Sequence, residues 1–159
     1  MAIRILELHH HGVRVPPAKV DEVNRFYMEV LGLRPDAERP EISAVPGSWM
    51  YVGEEGKPTT QIHIMGPDGT PPWAKSAQQD PTRFHVALAV QDIQETRAEL
   101  DLMGTSYWVI EGLVGPESVQ VFLDDPADIA RCIRYVEDNP VKEGKSRQTW
   151  AFVTPYQPG

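Results

Sequence analysis

The chain has 159 residues, of which 41% are hydrophobic, so it is long enough to bury a core as one domain or as two small repeated modules. Its formal net charge is -8 and it has no basic run interleaved with aromatic residues, which argues against nucleic acid and anionic membranes as partners. No apolar run approaches the roughly 20 residues that span a bilayer, and no signal sequence is present, so we expect a cytoplasmic protein.

The first part of the chain predicts one strand, one helix and three short strands. Residues 3–15 predict the strand, and residues 20–33 predict an amphipathic helix that stops at Gly32. Three segments bounded by Pro and Gly, "EISAV", "SWMYVG" and "TTQIHIMG", then predict the short strands. The apolar stripe of the helix consists of Val20, Val23, Phe26, Tyr27, Val30 and Leu31.

The same order of elements restarts after a stretch rich in Pro and Gly. "RFHVALAV" predicts a strand and "IQETRAELDLMG" predicts a helix, and three strands follow in "SYWVIEG", "SVQVFLDD" and "ARCIRYVE". The sequence therefore predicts an internal repeat. Its parts are a first module at 1–69, a linker at 70–81, a second module at 82–138 and a C-terminal tail at 139–159.

Each module begins with a strand that carries a histidine. "HHGVRV" begins at His10 and "HVALAV" begins at His85, and each places a valine five residues after the histidine. Because side chains alternate along a strand, His10 shares a face with Gly12, whereas His9 and His11 belong to the packed or edge side. The face with small residues is left for a cavity, so His10 is the candidate among the three consecutive histidines.

The opposite faces of these strands are apolar. In the second module, Val86 and Leu88 lie on the side that should pack beneath the helix. In "QIHIMG", His63 lies between Ile62 and Ile64 and therefore faces away from them.

These segments resemble the vicinal oxygen chelate superfamily, which includes glyoxalase I, extradiol dioxygenases and the fosfomycin and bleomycin resistance proteins. The resemblance covers roughly residues 5–137 and is carried by "HHGVRV", "HVALAV", "FYMEVLGL", "QIHIMG" and "VFLDDP". It implies an α+β fold in which two βαβββ modules form an open, cupped sheet with helices on its outer face. It also implies a divalent metal ion on the concave face, with ligands at His10, His63, His85 and Cys132.

The implied ligands are three histidines and one cysteine, which differ in their chemistry as metal ligands. Neutral imidazoles suit Zn, Fe, Ni and Mn ions, and a rigid sheet can hold them with coordination positions left open. Cys132 stands where the family has a glutamate, and it is either a soft thiolate ligand or a small apolar filler. Since that glutamate is thought to act as the base in glyoxalase I, the sequence identifies no catalytic base. No motif indicates another cofactor.

Two arginines and three aromatic residues are candidates for substrate binding. Arg14 and Arg134 share the predicted inner faces and would bind a carboxylate or phosphate if buried, or lie in solvent at strand ends. The spacing of Arg14 from His10 also resembles that of an arginine in glyoxalase I. Trp49, Tyr51 and Trp108 would line a cup for an aromatic substrate, or form ordinary core.

The resemblance implies a metal-dependent enzyme that binds two oxygens of a small anionic or aromatic substrate to the ion. Its reaction would be that of a glyoxalase-like lyase or isomerase, or that of a dioxygenase. The alternative is a non-catalytic protein that binds an antibiotic-type molecule, as the bleomycin resistance branch does; that branch generally lacks the ligand histidines, which favours the enzyme. We also expect a homodimer, and the apolar "WAFV" of the tail would cover the cavity mouth or reach the second subunit.

Overall fold

The computed structural model describes residues 3–54, 57 and 60–123. The chain divides into two compact units, Met1–Phe122 and Leu123–Gly159. Cys132, Arg134, the last predicted strand and the tail lie outside the described residues. The strands are β1 (Ile5–Arg14), β2 (Arg34–Pro35), β3 (Gly47–Tyr51), β4 (Gln61–Met65), β5 (His85–Val90), β6 (Tyr107–Glu111) and β7 (Val119–Leu123). The helices are α1 (Val20–Arg25), which lies between a 3₁₀ turn at Pro17–Lys19 and a π-helical turn at Phe26–Val30, and α2 (Ile93–Leu102).

Five strands form one mixed sheet in the order β2-β3-β4-β1-β5, and β6 pairs with β7 in a separate two-stranded sheet. β1 runs parallel to β4 and antiparallel to β5, so the first strands of the two predicted modules lie side by side. The architecture is α+β, as the sequence predicted. Neither α-helix of the described residues is long and apolar enough to cross a bilayer.

The core of the first module lies on the side of the sheet opposite His63. α1 contacts both β3 and β4. Met50 and Ile64, which alternate with Trp49 and His63 along their strands, have no exposed surface. Period-two alternation therefore separates an apolar packing face from a face that carries aromatic and imidazole rings.

The first helix differs from its predicted form. It is α-helical only over Val20–Arg25 and continues with the wider π winding. Val20 is buried, but Phe26, Val30 and Leu31 are 49%, 68% and 51% exposed. The predicted apolar stripe is therefore wrong at Phe26, Val30 and Leu31, whereas Val23 and Tyr27 are half-buried. The π winding does not keep the period of 3.6 residues on which the stripe was based.

The segment "EISAV" is a turn and not the predicted strand. Val45 N donates to the Ile42 carbonyl at 3.0 Å, and Ala44 has a left-handed φ of 61°. A backbone bent in this way cannot extend along a neighbouring strand. The first of the three short strands is instead β2, which pairs with β3.

The second module begins with the predicted strand and helix, and the structure shows that the helix is capped at its start. The carboxylate of Asp92 accepts hydrogen bonds from the backbone N of Gln94 and Glu95 at the start of α2. The buried side chains of α2 are Thr96 and Leu100.

The outer face of β5 is not covered as the sequence predicted. Val86 and Leu88 are 60% and 50% exposed, so the prediction that they pack beneath the helix is wrong. α2 is mostly polar, and its apolar Leu102 is 83% exposed, so this helix offers little apolar surface to cover them.

Candidate metal centre

Three histidines meet around Gly12 in the middle of the sheet. Gly12 pairs with His63 of β4 on one side and with His85 of β5 on the other, and His10 lies two residues earlier on the same face. A Cβ at Gly12 would lie 2.2 Å from Cε1 of His85, which is far inside contact distance. Glycine therefore leaves the space over β1 that the His85 ring occupies.

His10 and His85 approach each other edge to edge. Their Nε2 atoms are 3.0 Å apart, and Nδ1 of His85 lies 2.7 Å from the Arg83 carbonyl oxygen. Because a carbonyl only accepts, Nδ1 of His85 carries the proton, and in the neutral ring its Nε2 offers a lone pair. This is the usual support of a metal-binding histidine, whose second nitrogen donates to a backbone carbonyl.

His9 is closer to the site than the sequence predicted. The pairing of β1 with β5 shifts between Leu8 and His10, which inserts His9 as an extra residue. Nδ1 of His9 then lies 2.8 Å from Nδ1 of His10. The assignment of His9 to the packed or edge side is therefore wrong, because a bulge interrupts the regular alternation on which it depended.

His63 contacts His10 by stacking, whereas His85 meets it edge-on. Its ring lies parallel to the His10 ring with centroids 3.7 Å apart, and parallel to the Trp49 ring on its other face at 4.3 Å. Its Nε2 lies 2.9 Å from Oε1 of Gln61. Both faces and one nitrogen of His63 are thus occupied by neighbouring side chains.

All three imidazoles are neutral at physiological pH. Burial, reinforced by the neighbouring His85, lowers the pKa of His10 to about 3. Burial, reinforced by His10, lowers the pKa of His63 to about 2, and burial also lowers the pKa of His85. Neutral rings suit metal ions, because only a deprotonated imidazole nitrogen can coordinate.

The fit of a divalent ion differs between these histidines. Two imidazole nitrogens bound at about 2.1 Å and at right angles to each other lie about 3 Å apart, which matches the Nε2 atoms of His10 and His85. The His63 ring lies parallel to the His10 ring, so its nitrogens do not point to the space beside Nε2 of His10, and His63 would join the other two as a ligand only after its ring turns. Accordingly, within the described part of the chain no three His, Cys, Asp or Glu side chains already form a group that could hold an ion.

Arg14, at the end of β1, is bonded to the predicted linker. Its guanidinium donates to Oδ2 of Asp80 at 2.8 Å, to Oγ1 of Thr82 at 2.9 Å and to the carbonyl of Gly69. Asp80 is only 3% exposed, so it supplies a buried anion for this arginine from within the chain. The predicted role of Arg14 as a substrate anchor stays a prediction, and Arg134 lies beyond the described residues.

The three predicted aromatic residues lie in different places. Trp49 stacks on His63, and Tyr51 follows it on the same face of β3, where a hydrogen bond to Asp36 raises the pKa of its hydroxyl. Trp108 is buried in the two-stranded sheet, where it stacks on Phe122 with centroids 4.0 Å apart. Trp49 therefore contacts the histidines and Tyr51 lies on the same face next to Gln61, whereas Trp108 of β6 packs against β7.

Two residues that support the cluster, Gln61 and Asp36, are not among those predicted from the sequence. Gln61 bonds His63, and its Nε2 donates to Oδ2 of Asp36 at 3.0 Å. Gln61 could have been found from the strand pattern, since it precedes His63 by two residues and shares its face. No sequence signal indicated Asp36, which directly follows β2.

Comparison with protein families supplies the context for this cluster. A model of the Glyoxalase/Bleomycin resistance protein/Dioxygenase superfamily matches residues 8–133. The chain belongs to this superfamily. It is the vicinal oxygen chelate superfamily, so the resemblance seen in the sequence is confirmed, and the glyoxalase-type cupped sheet with it.

The superfamily match includes all four predicted ligand positions. The glyoxalase superfamily includes enzymes, and its members bind small molecules, typically bind divalent metals and often form dimers. A comparison with curated proteins gives no match.

Proposed function

We propose that this member of the glyoxalase superfamily is a metal-dependent enzyme. It would hold one divalent ion by His10, His63 and His85, with Cys132 at or near a fourth position. The observation that carries the proposal is the 3.0 Å approach of Nε2 of His10 to Nε2 of His85, in a pair of half-buried, neutral rings. These two nitrogens would be close enough to bind one ion together.

The residues around this pair have separate tasks. The Arg83 carbonyl fixes His85 with Nε2 unprotonated, and Gly12 leaves the space that the ring needs. His9 can donate to or accept from Nδ1 of His10, so it can support His10 when an ion replaces the proton on Nε2. The protein therefore supports both rings behind their metal-facing nitrogens.

A bound Zn, Fe, Ni or Mn ion would supply Lewis acidity to two adjacent oxygens of a small substrate. Trp49 and Tyr51, on the histidine face of the sheet, favour a flat or aromatic substrate beside the ion. Arg14 and Arg134 are the candidates to bind an anionic group of it. Glyoxalase-like isomerase or lyase chemistry and dioxygenase chemistry both agree with this arrangement.

The proposal is tested with untagged protein that is depleted of metal and reloaded with each of the four ions in turn. Hydroxy-carbonyl compounds are assayed for exchange of carbon-bound hydrogen in D₂O, and catechols are assayed for oxygen uptake. We expect metal-dependent turnover of one class, its loss in His85→Ala and its retention in His11→Ala. Tight binding of a small aromatic molecule without turnover under any metal would contradict the proposal and indicate a binding protein.

A further inference from the structure

The His63 ring is fixed by neighbouring side chains on both faces and at one nitrogen. The Trp49 and His10 rings cover its two faces at 4.3 and 3.7 Å, each within about 11° of parallel. Only in-plane contacts are left to it, and one of these is the bond of its Nε2 to Oε1 of Gln61. The ring is 7% exposed, so water does not compete for this bond.

The direction of that hydrogen bond follows from the next residue in the chain of contacts. A carboxylate of Asp36 only accepts, so the amide of Gln61 must turn its NH₂ group to Oδ2 of Asp36 and its oxygen to His63. Asp36 is itself fixed, because its Oδ1 accepts from the backbone N of Glu38 and its own N donates to the Trp49 carbonyl. His63 must therefore carry its proton on Nε2.

We propose that Gln61 and Asp36 form a latch that keeps His63 protonated on Nε2 and stacked on His10. Because the stacked ring must turn before a nitrogen can point to the space beside Nε2 of His10, the metal centre would gain its third imidazole only when the Gln61–His63 bond breaks. The part of this inference that concerns metal binding rests on the proposed function. Gln61 is then a positioning residue that lowers the affinity for the ion, because part of the energy of the third ligand is used to open the latch.

The first test reads the latch without any metal. Long-range ¹H–¹⁵N spectra of the metal-free protein distinguish the two neutral tautomers of each histidine. We expect His63 of the wild type to be protonated on Nε2 alone, and Gln61→Met to give a mixture of tautomers. Asp36→Asn, whose amide no longer fixes the orientation of Gln61, should also give a mixture. A wild-type ring protonated on Nδ1, or a tautomer that neither variant changes, would overturn the latch.

The second test measures zinc binding by the same metal-free proteins. Loss of one neutral hydrogen bond corresponds to a roughly threefold to tenfold gain in affinity for zinc in Gln61→Met. The gain should vanish when His63→Ala is combined with it. Gln120→Met, the same substitution in β7, serves as a control and should change neither the affinity nor the tautomer.

The outcomes separate the latch from the metal centre. Weaker or unchanged zinc binding in Gln61→Met, with normal binding by the wild type, would overturn the latch and leave the metal centre standing. Absence of zinc binding by every variant would overturn the metal centre, and with it the role of the latch, whatever the tautomer of His63.

Discussion

The two sides of β1 hold histidines in opposite ways. His63 of β4 and His85 of β5 both pair with Gly12, and both contact His10. Each also bonds the residue two positions before it, yet His85 uses Nδ1 on a carbonyl whereas His63 uses Nε2 on the side chain of Gln61. The residue two positions earlier in the strand thus decides which nitrogen of each imidazole is held by a neighbour.

We expect the largest change in zinc affinity from substitution of His85, the histidine of β5. His85→Ala should lower the affinity for zinc by at least about 100-fold, because it removes one of the two Nε2 atoms that already lie close together. The loss of a residue that only supports a metal ligand commonly lowers metal affinity by about 10–100-fold. Calorimetric titration of untagged protein measures the change. His11→Ala, on the opposite and exposed face of β1, is the matched control and should bind as the wild type does. Equal losses in both variants would contradict the assignment.

A substitution at Gly12 should disturb the same side without removing a ligand. In Gly12→Ala the new methyl group overlaps the His85 ring, so we expect about 10–100-fold weaker zinc binding and a loss of about 1–3 kcal/mol in the free energy of unfolding. Denaturant unfolding of the double variant with His85→Ala supplies the check. There the stability loss should disappear, and its persistence would mean that the strain lies elsewhere.

On the β4 side the effect should be smaller. His63→Ala should lower zinc affinity by about tenfold, at the lower end of the range for changes around metal ligands. In the wild type, part of the binding free energy from His63 is offset by breaking its bond to Gln61, so less is lost when His63 is removed. The same titration measures it. A loss of affinity as large as that of His85→Ala would show that His63 and His85 contribute equally and would contradict the proposed difference between the two sides of β1.

Arg14 should affect stability more than metal binding. Arg14→Met leaves the buried carboxylate of Asp80 without its cation, and we expect the free energy of unfolding to fall by about 2 kcal/mol with metal content unchanged. Arg25→Met, at an exposed arginine of α1, is the control. A stability unchanged from the wild type, together with weaker binding of an anionic substrate, would instead favour the anchor role.

Much of the fold followed from the sequence because it depends on local patterns. Alternation along "QIHIMG" placed His63 opposite Ile64, and the periodicity of "IQETRAELDLMG" predicted the helix that the structure has at Ile93–Leu102. Period-two patterns need only the residue's own strand, and the structure agrees with them wherever a strand is regular.

What the sequence could not predict depends on non-local pairing. The bulge that brings His9 to His10 exists only in the register of β1 against β5. The bond from Asp36 to Gln61 joins residues 25 positions apart, and the turn at Ala44 has a φ that no propensity of alanine suggests. The orientation of the His63 ring follows from these neighbours, so the sequence could place the histidine on a face but not assign its free nitrogen.

The most direct measurement is the metal content of untagged protein, by elemental analysis of the wild type and of the His63→Ala, His85→Ala double variant after exposure to the four candidate ions and removal of the excess. A divalent metal centre on this face of the sheet predicts close to one ion per chain in the wild type and little or none in the double variant. A wild type that retains no ion, or a double variant that remains fully occupied, would contradict it.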